Sequence, residues 1–480
     1  MVGRLSALAF VGLLAVAAPA SAQTPSFEGV ACPHTPAPVP ALQTARCGYL
    51  IVPENRSRPD GPTIRLLVAI VPAQSATPAP DPIVHMTGGP GGIAILEAQD
   101  FVDAGLTRDR DLILMDQRGT KYSQPALTRP EIDAFVARSV AAPLDTPSTE
   151  REHVAATAKC RRRLVAKGVD ISAYNTTENA ADFADLRKAL GIAQWNVFGV
   201  SYGTDLALTF MREHPEGIRT VTLDSVVPPS AVTLSRFWPN AREGFDALFA
   251  DHRGLGRVFT RLVRKLEAKP VVTTVKPAQG GRHRTKVALD GGALANWLVA
   301  KALATPSFAT VPGELRQLAA GRPQAIAADR ASVTPPGFVG YGLVYGVACS
   351  EWVPYEPASR ILPAGRRAFP RYPDSVLAQP PQFTHMTQDC RAWNVPAGPP
   401  AQRDVTSSTI PTLVLQGTYD SITSVRWGRL AAQTIAPSTV AVIPRVGHFV
   451  MPASPCAQQV LGSFLATPAT PDTSCVPRAR

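Results

Sequence analysis

Several things are missing from this 480-residue chain, and each gap closes off a class of function. None of its seven cysteines stands in a Cys-x-x-Cys pair, the spacing from which structural zinc sites are commonly built, so no metal is expected. Beyond the amino terminus no apolar run approaches the ~20 residues that a membrane span needs, so no stable membrane insertion of the mature chain is expected. Aromatic residues are scarce where positive charge is dense. Phe259 is the only one among Arg161-Arg162-Arg163 and the run from Arg257 to Lys265, too little to stack a run of bases. The net charge is +11, yet these arginines fall at helical spacing among leucines and valines, which a solvated helix face explains. No nucleic-acid partner is expected. Internal repeats are lacking too, and the one low-complexity piece is the lead Pro36-Ala-Pro-Val-Pro40.

What is present suits a large folded protein. With 45% hydrophobic and 18% charged residues the chain can bury a sizeable core, as one big domain with an insertion or as two domains. Met1 to Ala22 combine a basic start at Arg4, an apolar run from Leu5 to Ala18 and the small-residue site Ala20-Ser21-Ala22. This pattern predicts a secretory signal peptide over residues 1–22, cut before Gln23, and hence a periplasmic or secreted protein. In an exported chain the cysteines fall into local pairs, Cys32 with Cys47, Cys349 with Cys390 and Cys456 with Cys475, leaving Cys160 over.

Short apolar runs predict strands at 47–53, 63–71, 82–86, 111–115, 195–200, 219–223, 412–416 and 439–443, the first two antiparallel. Helical periodicity covers Glu150 to Lys167, Asn179 to Leu190 behind a Thr177 cap, the stretch after Thr204, and Cys456 to Leu465. From Pro228 to Val405 strand and helix stop alternating, and segments such as Phe237 to Phe249, Gly256 to Leu266 and Ala293 to Leu303 read as helices. The expected fold class is α/β: a mostly parallel central sheet flanked by helices, with core residues 23–227 and 406–480 and an inserted, mainly helical cap over 228–405.

Chemistry centres on Gly199-Val200-Ser201-Tyr202-Gly203, placed between a strand and a helix. A serine on so sharp a turn stands above the sheet at the positive end of a helix, the geometry of a nucleophile elbow. Alone the pattern is a common accident; a base, an acid and an oxyanion hole must accompany it. His448 follows the final strand, where a loop can carry it over the elbow, and Asp420 ends the strand before it. Asp224, at the end of the strand after the elbow helix, competes with Asp420 for the acid role, or else braces the cap hinge. Chain order Ser, Asp, His favours Asp420. The oxyanion would be held by the N–H of Tyr202 and by that of Gly89 in Thr87-Gly88-Gly89-Pro90-Gly91-Gly92. Asp116-Gln117-Arg118-Gly119, at another strand end, reads first as a structural tie between loops.

Gly88-Gly89-Pro90-Gly91, Asp116-Gln117-Arg118-Gly119, the Ser201 elbow, the Asp420 loop and Gly447-His448 occur in the order found in the proline iminopeptidase-like serine peptidases, family S33. The chain resembles most closely their secreted tripeptidyl aminopeptidase-like branch with its TAP-like C-terminal segment. The resemblance implies an α/β-hydrolase fold with a helical cap, release of amino-terminal residues or short peptides, and neither metal nor cofactor. It departs in three places: Thr87 stands where a histidine is usual, Lys121 where a glycine is common, and the early cap lacks a cysteine pair often seen in the secreted relatives, Asp251-His252-Arg253 occupying that neighbourhood.

An aminopeptidase must bind a free ammonium group, so a cap carboxylate should face Ser201; Glu351, in Cys349-Ser350-Glu351, is the expected residue. The substrate is then a peptide, or a small ester if the chain is a carboxylesterase with the same triad. A catalytically silent binding protein on this scaffold is the third possibility, against which the intact set of Ser201, Asp420 and His448 argues.

Overall fold

The computed structural model describes residues 25–143, 146–278, 283–332 and 337–477. The expected leader, residues 1–22, lies outside the described residues. Nine strands form one sheet: β1 (Ser26–Val30), β2 (Arg46–Pro53), β3 (Thr63–Val71), β4 (Ile83–Met86), β5 (Leu112–Met115), β6 (Trp195–Val200), β7 (Ile218–Asp224), β10 (Thr412–Gly417) and β11 (Ser438–Ile443). Their order is β1-β2-β3-β5-β4-β6-β7-β10-β11. Pairings from β1 to β5 are antiparallel, and those from β5 through β4, β6, β7 and β10 to β11 are parallel.

Strand alternation divides the core. On β6, Trp195 and Val197 join the cluster on one face of the sheet, which includes Leu206 and Phe210 of the elbow helix; Phe198 and Val200 join the other, with Phe101 and Leu461. Both faces are covered by helices, so the central strands are near-continuous apolar runs rather than alternating ones. Two details differ from expectation. Strand β1 is mostly exposed and pairs with β2 as an edge. The helix Thr176–Ala189 is capped by Asn175, whose side chain accepts the Glu178 N–H at 3.0 Å, because Thr176 and Thr177 already lie in its first turn.

Between β7 and β10 the insertion contributes to two cores. Helices Phe237–Asp251, Leu255–Ala268, Gly291–Ala300 and Val311–Ala319 surround Trp238, Phe245, Phe259 and Leu298 in a core of their own. The hairpin of β8 (Val271–Val275) and β9 (Thr285–Leu289) packs with them. Helices Tyr341–Val347 and Met386–Trp393 instead bury Tyr345 and Trp393 in the sheet's own cluster. Cys349–Cys390 ties those two segments together, Cys32–Cys47 fixes the lead to β2, and Cys456–Cys475 fastens the last helix to the chain end. Cys160 is free and buried. Among the described residues no helix is long and apolar enough to cross a membrane.

Candidate active site

The carboxyl ends of the parallel strands β4, β6, β7, β10 and β11 face the same way, and an open parallel sheet places its sites at those ends. Ser201 follows β6 directly and opens the helix Tyr202–Glu213, with φ 55° and ψ −126°. A non-glycine residue in such a conformation costs about 1–3 kcal/mol and persists only where its surroundings impose it. Here its N–H donates to the Asp224 carbonyl at 3.0 Å, and its own carbonyl accepts from the Thr204 N–H at 2.8 Å and hydroxyl at 2.6 Å. The flanking glycines are required by close approach: a Cβ on Gly203 would lie 1.9 Å from the Met86 carbonyl oxygen, and one on Gly199 2.4 Å from that of Gly203.

Asp420 lies fully buried in the loop after β10. Its Oδ1 accepts the N–H groups of Ile422 and Thr423 at 2.8 and 2.9 Å, and its Oδ2 accepts the Thr423 hydroxyl at 2.6 Å. Nδ1 of His448 stands 2.9 Å from the same Oδ2. Burial works against charge on both partners, yet each favours the charged form of the other. The carboxyl is held below the usual carboxylate range by the His448 charge and these hydrogen bonds, and the imidazole is held above its ordinary value by Asp420.

Asp224 takes neither of its two expected places. Its carboxylate accepts the N–H groups of Val450 and Met451, each at 2.8 Å, and the Ser225 hydroxyl at 2.9 Å. It thus pins the turn after His448 rather than the imidazole or the cap hinge. Burial pushes it up to about 6. Arg118 is likewise structural: fully buried, it grips Asp182 with two nitrogens at 2.8 Å and the carbonyls of Glu54 and Ala173 at 2.6 Å.

The glycine loop passes directly beside the elbow, since a Cβ on Gly88 would sit 2.7 Å from that of Ser201. Gly89 has φ 116° and Gly91 φ 86°, backbone that side chains disfavour. Among the described residues the Gly89 N–H has no hydrogen-bond acceptor, and Tyr202, first in its helix, has no acceptor one turn earlier. Thr87 leads into the loop, fixed by its carbonyl to Gln117 Nε2 at 2.8 Å.

A cavity of about 870 Å³ is lined by Ser201, His448, Gly89 and Tyr202 together with residues of the insertion. Its apolar wall includes Val232, Phe237, Tyr341, Phe383 and Ile422, whereas elsewhere it presents Glu97, Asp133, His153 and Asp389. Glu351 is not on that wall. Its carboxylate is buried beneath Tyr202, accepting the Thr176 N–H at 2.8 Å and hydroxyl at 2.6 Å, with that hydroxyl 2.9 Å from the Tyr202 hydroxyl. Burial pushes it up to about 7. The expectation that Glu351 reaches toward Ser201 fails because the turn Ala348–Trp352 packs into the sheet's core, not into the cap.

Sequence reading passed over Thr423, Glu97, Asn240 and Asp389. Only Thr423 had a local signal, since Asp-x-x-Thr is a spacing at which a carboxylate captures hydroxyl and backbone N–H. Asn240 and Asp389 lie far in sequence from the groups they meet, whereas Glu97 stands 10 and 12 residues from Thr87 and His85 with no motif to mark it.

Two family models match in chain order, "alpha/beta hydrolase fold" over residues 81–254 and "TAP-like protein" over residues 377–476, together more than half of the chain. The tripeptidyl aminopeptidase of Streptomyces coelicolor is 29% identical over 219 residues, covering 42% of this chain and 38% of that protein. Serine protease Hip1 of Mycobacterium tuberculosis is 31% identical over 217 residues, 43% of this chain and 41% of that one. The proline iminopeptidase of Neisseria meningitidis is 25% identical over 190 residues, 38% and 46% respectively. The matched stretch therefore spans less than half the length of each relative. With this sheet order, elbow and carboxyl-terminal match, the chain belongs to the α/β hydrolases, in the proline iminopeptidase-like group that carries the TAP-like segment.

Proposed function

We propose that the protein is an exported serine aminopeptidase that releases amino-terminal residues or short peptides, tripeptides among them, through an acyl-enzyme. The observation that carries this is the buried His448–Asp420 pair at 2.9 Å, sharing a cavity with the strained Ser201. His448 takes the Ser201 proton as Oγ attacks the carbonyl carbon, Asp420 stabilises the imidazolium, and the N–H groups of Gly89 and Tyr202 receive the oxyanion. The proton then passes to the leaving amine, and water, activated by the same imidazole, hydrolyses the ester. Export rests on the leader at 1–22 and accords with three disulfides.

With Glu351 removed from the cavity, the ammonium of the substrate falls to another carboxylate. Asp133 is already neutralised by Arg129 at 3.0 Å, while Asp389, among the described residues, meets His153 and Thr157 and belongs to a helix of the insertion. Asp389 is the acceptor in this scheme. A carboxylesterase remains the rival, favoured by the apolar wall. The deciding assay compares mature wild type and Ser201→Ala on free-amine di- and tripeptide anilides, their N-blocked forms and short-chain esters. Turnover that vanishes on blocking, and with Ser201→Ala, supports the aminopeptidase. Ester-only turnover replaces it with the esterase, and no turnover without fluorophosphonate labelling leaves a silent binding protein.

A further inference from the structure

A loop with glycine at 88, 89, 91 and 92 has little stiffness of its own beyond Pro90 and the bond from the Gly92 N–H to the Gly88 carbonyl at 3.1 Å, so its seat against Ser201 depends on neighbours. Glu97 sits where such a constraint can act. It ends the short turn Ala94–Glu97 that follows the loop, and it lines the cavity. Its Oε1 accepts the Thr87 hydroxyl at 2.5 Å and its Oε2 meets Nε2 of His85, also at 2.5 Å. His85 is immobile: fully buried on β4, its ring lies 4.7 Å from Phe101 and 5.8 Å from Phe198. One carboxylate therefore joins a rigid strand residue to the first residue of the glycine loop. From the opposite side Gln117 holds the Thr87 carbonyl. Past Thr87 the chain goes straight to Gly88, against Ser201, and to Gly89.

We propose that Glu97 is a positioning residue for the oxyanion hole. Anchored on His85, it fixes Thr87 and thereby sets the Gly89 N–H relative to Ser201. This rests on the serine-hydrolase reading above. Hydrogen bonds to a carboxylate are short and strong, so the device is stiffer than a neutral pair would be. A donor misplaced by a fraction of an ångström weakens stabilisation of the transition state while leaving ground-state binding nearly intact.

The test uses the mature protein and the variants Thr87→Val, Thr87→Ser and Glu97→Ala, with labelling of the wild type by a fluorophosphonate read first. Thermal melts and circular dichroism verify folding. kcat and KM are measured on the best wild-type substrate, and binding of phenylboronic acid, whose tetrahedral adduct with Ser201 places an oxygen in the oxyanion hole, is titrated. Loss of one oxyanion donor costs about 10²–10³ in kcat, so a loosened one is expected to cost about 10- to 100-fold. Thr87→Val and Glu97→Ala should show that fall, with KM within about twofold and boronate affinity reduced in parallel, while Thr87→Ser retains most activity. An unchanged kcat, or a rise confined to KM with boronate binding intact, overturns the positioning role alone. An unlabelled wild type overturns the serine-hydrolase reading and this role with it.

Discussion

Asn240 of the insertion donates through Nδ2 to the carbonyl of Ile422, at 3.1 Å, two residues beyond Asp420. Its Oδ1 accepts the Ser424 hydroxyl at 2.9 Å, and one turn later on the same helix a Cβ at Gly244 would lie 2.7 Å from the Ser421 nitrogen. The His448 loop is gripped likewise: its N–H donates to the Ala302 carbonyl at 2.7 Å, and the Gly447 N–H to the Thr305 hydroxyl at 3.0 Å. Asp251 closes the contact, receiving Arg445 Nε at 2.8 Å and the Tyr419 hydroxyl. The insertion that roofs the cavity thus also holds both loops that carry Asp420 and His448.

Asn240→Ala should therefore damage catalysis from a distance. It strands two buried partners at about 1–3 kcal/mol each. Gly244→Ala forces a methyl group against backbone that cannot yield. Both variants should melt several degrees lower and lose about 10-fold or more in kcat, because a slightly displaced general base is costly. Thermal melts and steady-state kinetics check this; full activity in a destabilised Asn240→Ala would show the two loops to be held independently of the insertion.

The pH profile follows from the His448–Asp420 pair. In the proposed mechanism His448 must be neutral to take the Ser201 proton; its pKa is raised above 6.5, so kcat/KM should climb with pH along an acid limb centred above that value. Asp420→Asn removes the charge that raises it: the limb should move down and kcat fall by about 10⁴. Stability moves in the opposite sense for the two groups. His448, raised, contributes most below pH 6.5 and loses its contribution as pH climbs; Asp420, lowered, contributes above 3.8 and loses it in acid. Rate profiles and melts across pH 4–9 read both.

The sheet and the order of its site residues were legible because they are local: strand runs with turn residues between them, a Gly-x-Ser-x-Gly turn, an aspartate and a histidine each just past a strand. What stayed hidden depends on contacts distant in sequence. Asn240 looks like any helix residue until Ile422, 182 positions away, is packed on it. Glu351 seemed a cap carboxylate because a helical insertion reads as one lobe, whereas the segment carrying it folds back into the main core. Asp251 makes with Arg445 and Tyr419 a tie that no spacing rule announces.

Glu351 offers a test of that correction. Burial raises its pKa to about 7, and it also raises the neighbouring Asp205. A carboxyl raised on folding binds more protons in the native state, so these groups make the protein less stable as pH rises from about 5 to 8. Glu351→Gln should flatten that decline in a melting series. The Thr176–Tyr202 hydroxyl pair can reverse to meet the amide, so activity at neutral pH should stay within about threefold. Selective loss on free-amine peptides would return Glu351 to the amine site.

Asp389 carries the opposite expectation. It is fully buried yet lines the cavity, and its partners are His153 Nδ1 and the Thr157 hydroxyl, each at 3.0 Å. Among the described residues no arginine or lysine pairs with it. Its helix is tethered through Cys390, so its position does not depend on substrate. A buried carboxylate with no arginine or lysine partner among the described residues suits a ligand ammonium, and charged hydrogen bonds of this kind contribute about 1.5–3 kcal/mol. Asp389→Asn preserves shape and the Thr157 bond while removing the charge. KM for a free-amine tripeptide anilide should rise about 10- to 100-fold. Turnover of the N-acetylated anilide, if any, and of a short-chain ester should be unaltered, because neither brings an ammonium. Equal losses on all three would mean that Asp389 supports the cavity wall, and would leave the amine to be held elsewhere.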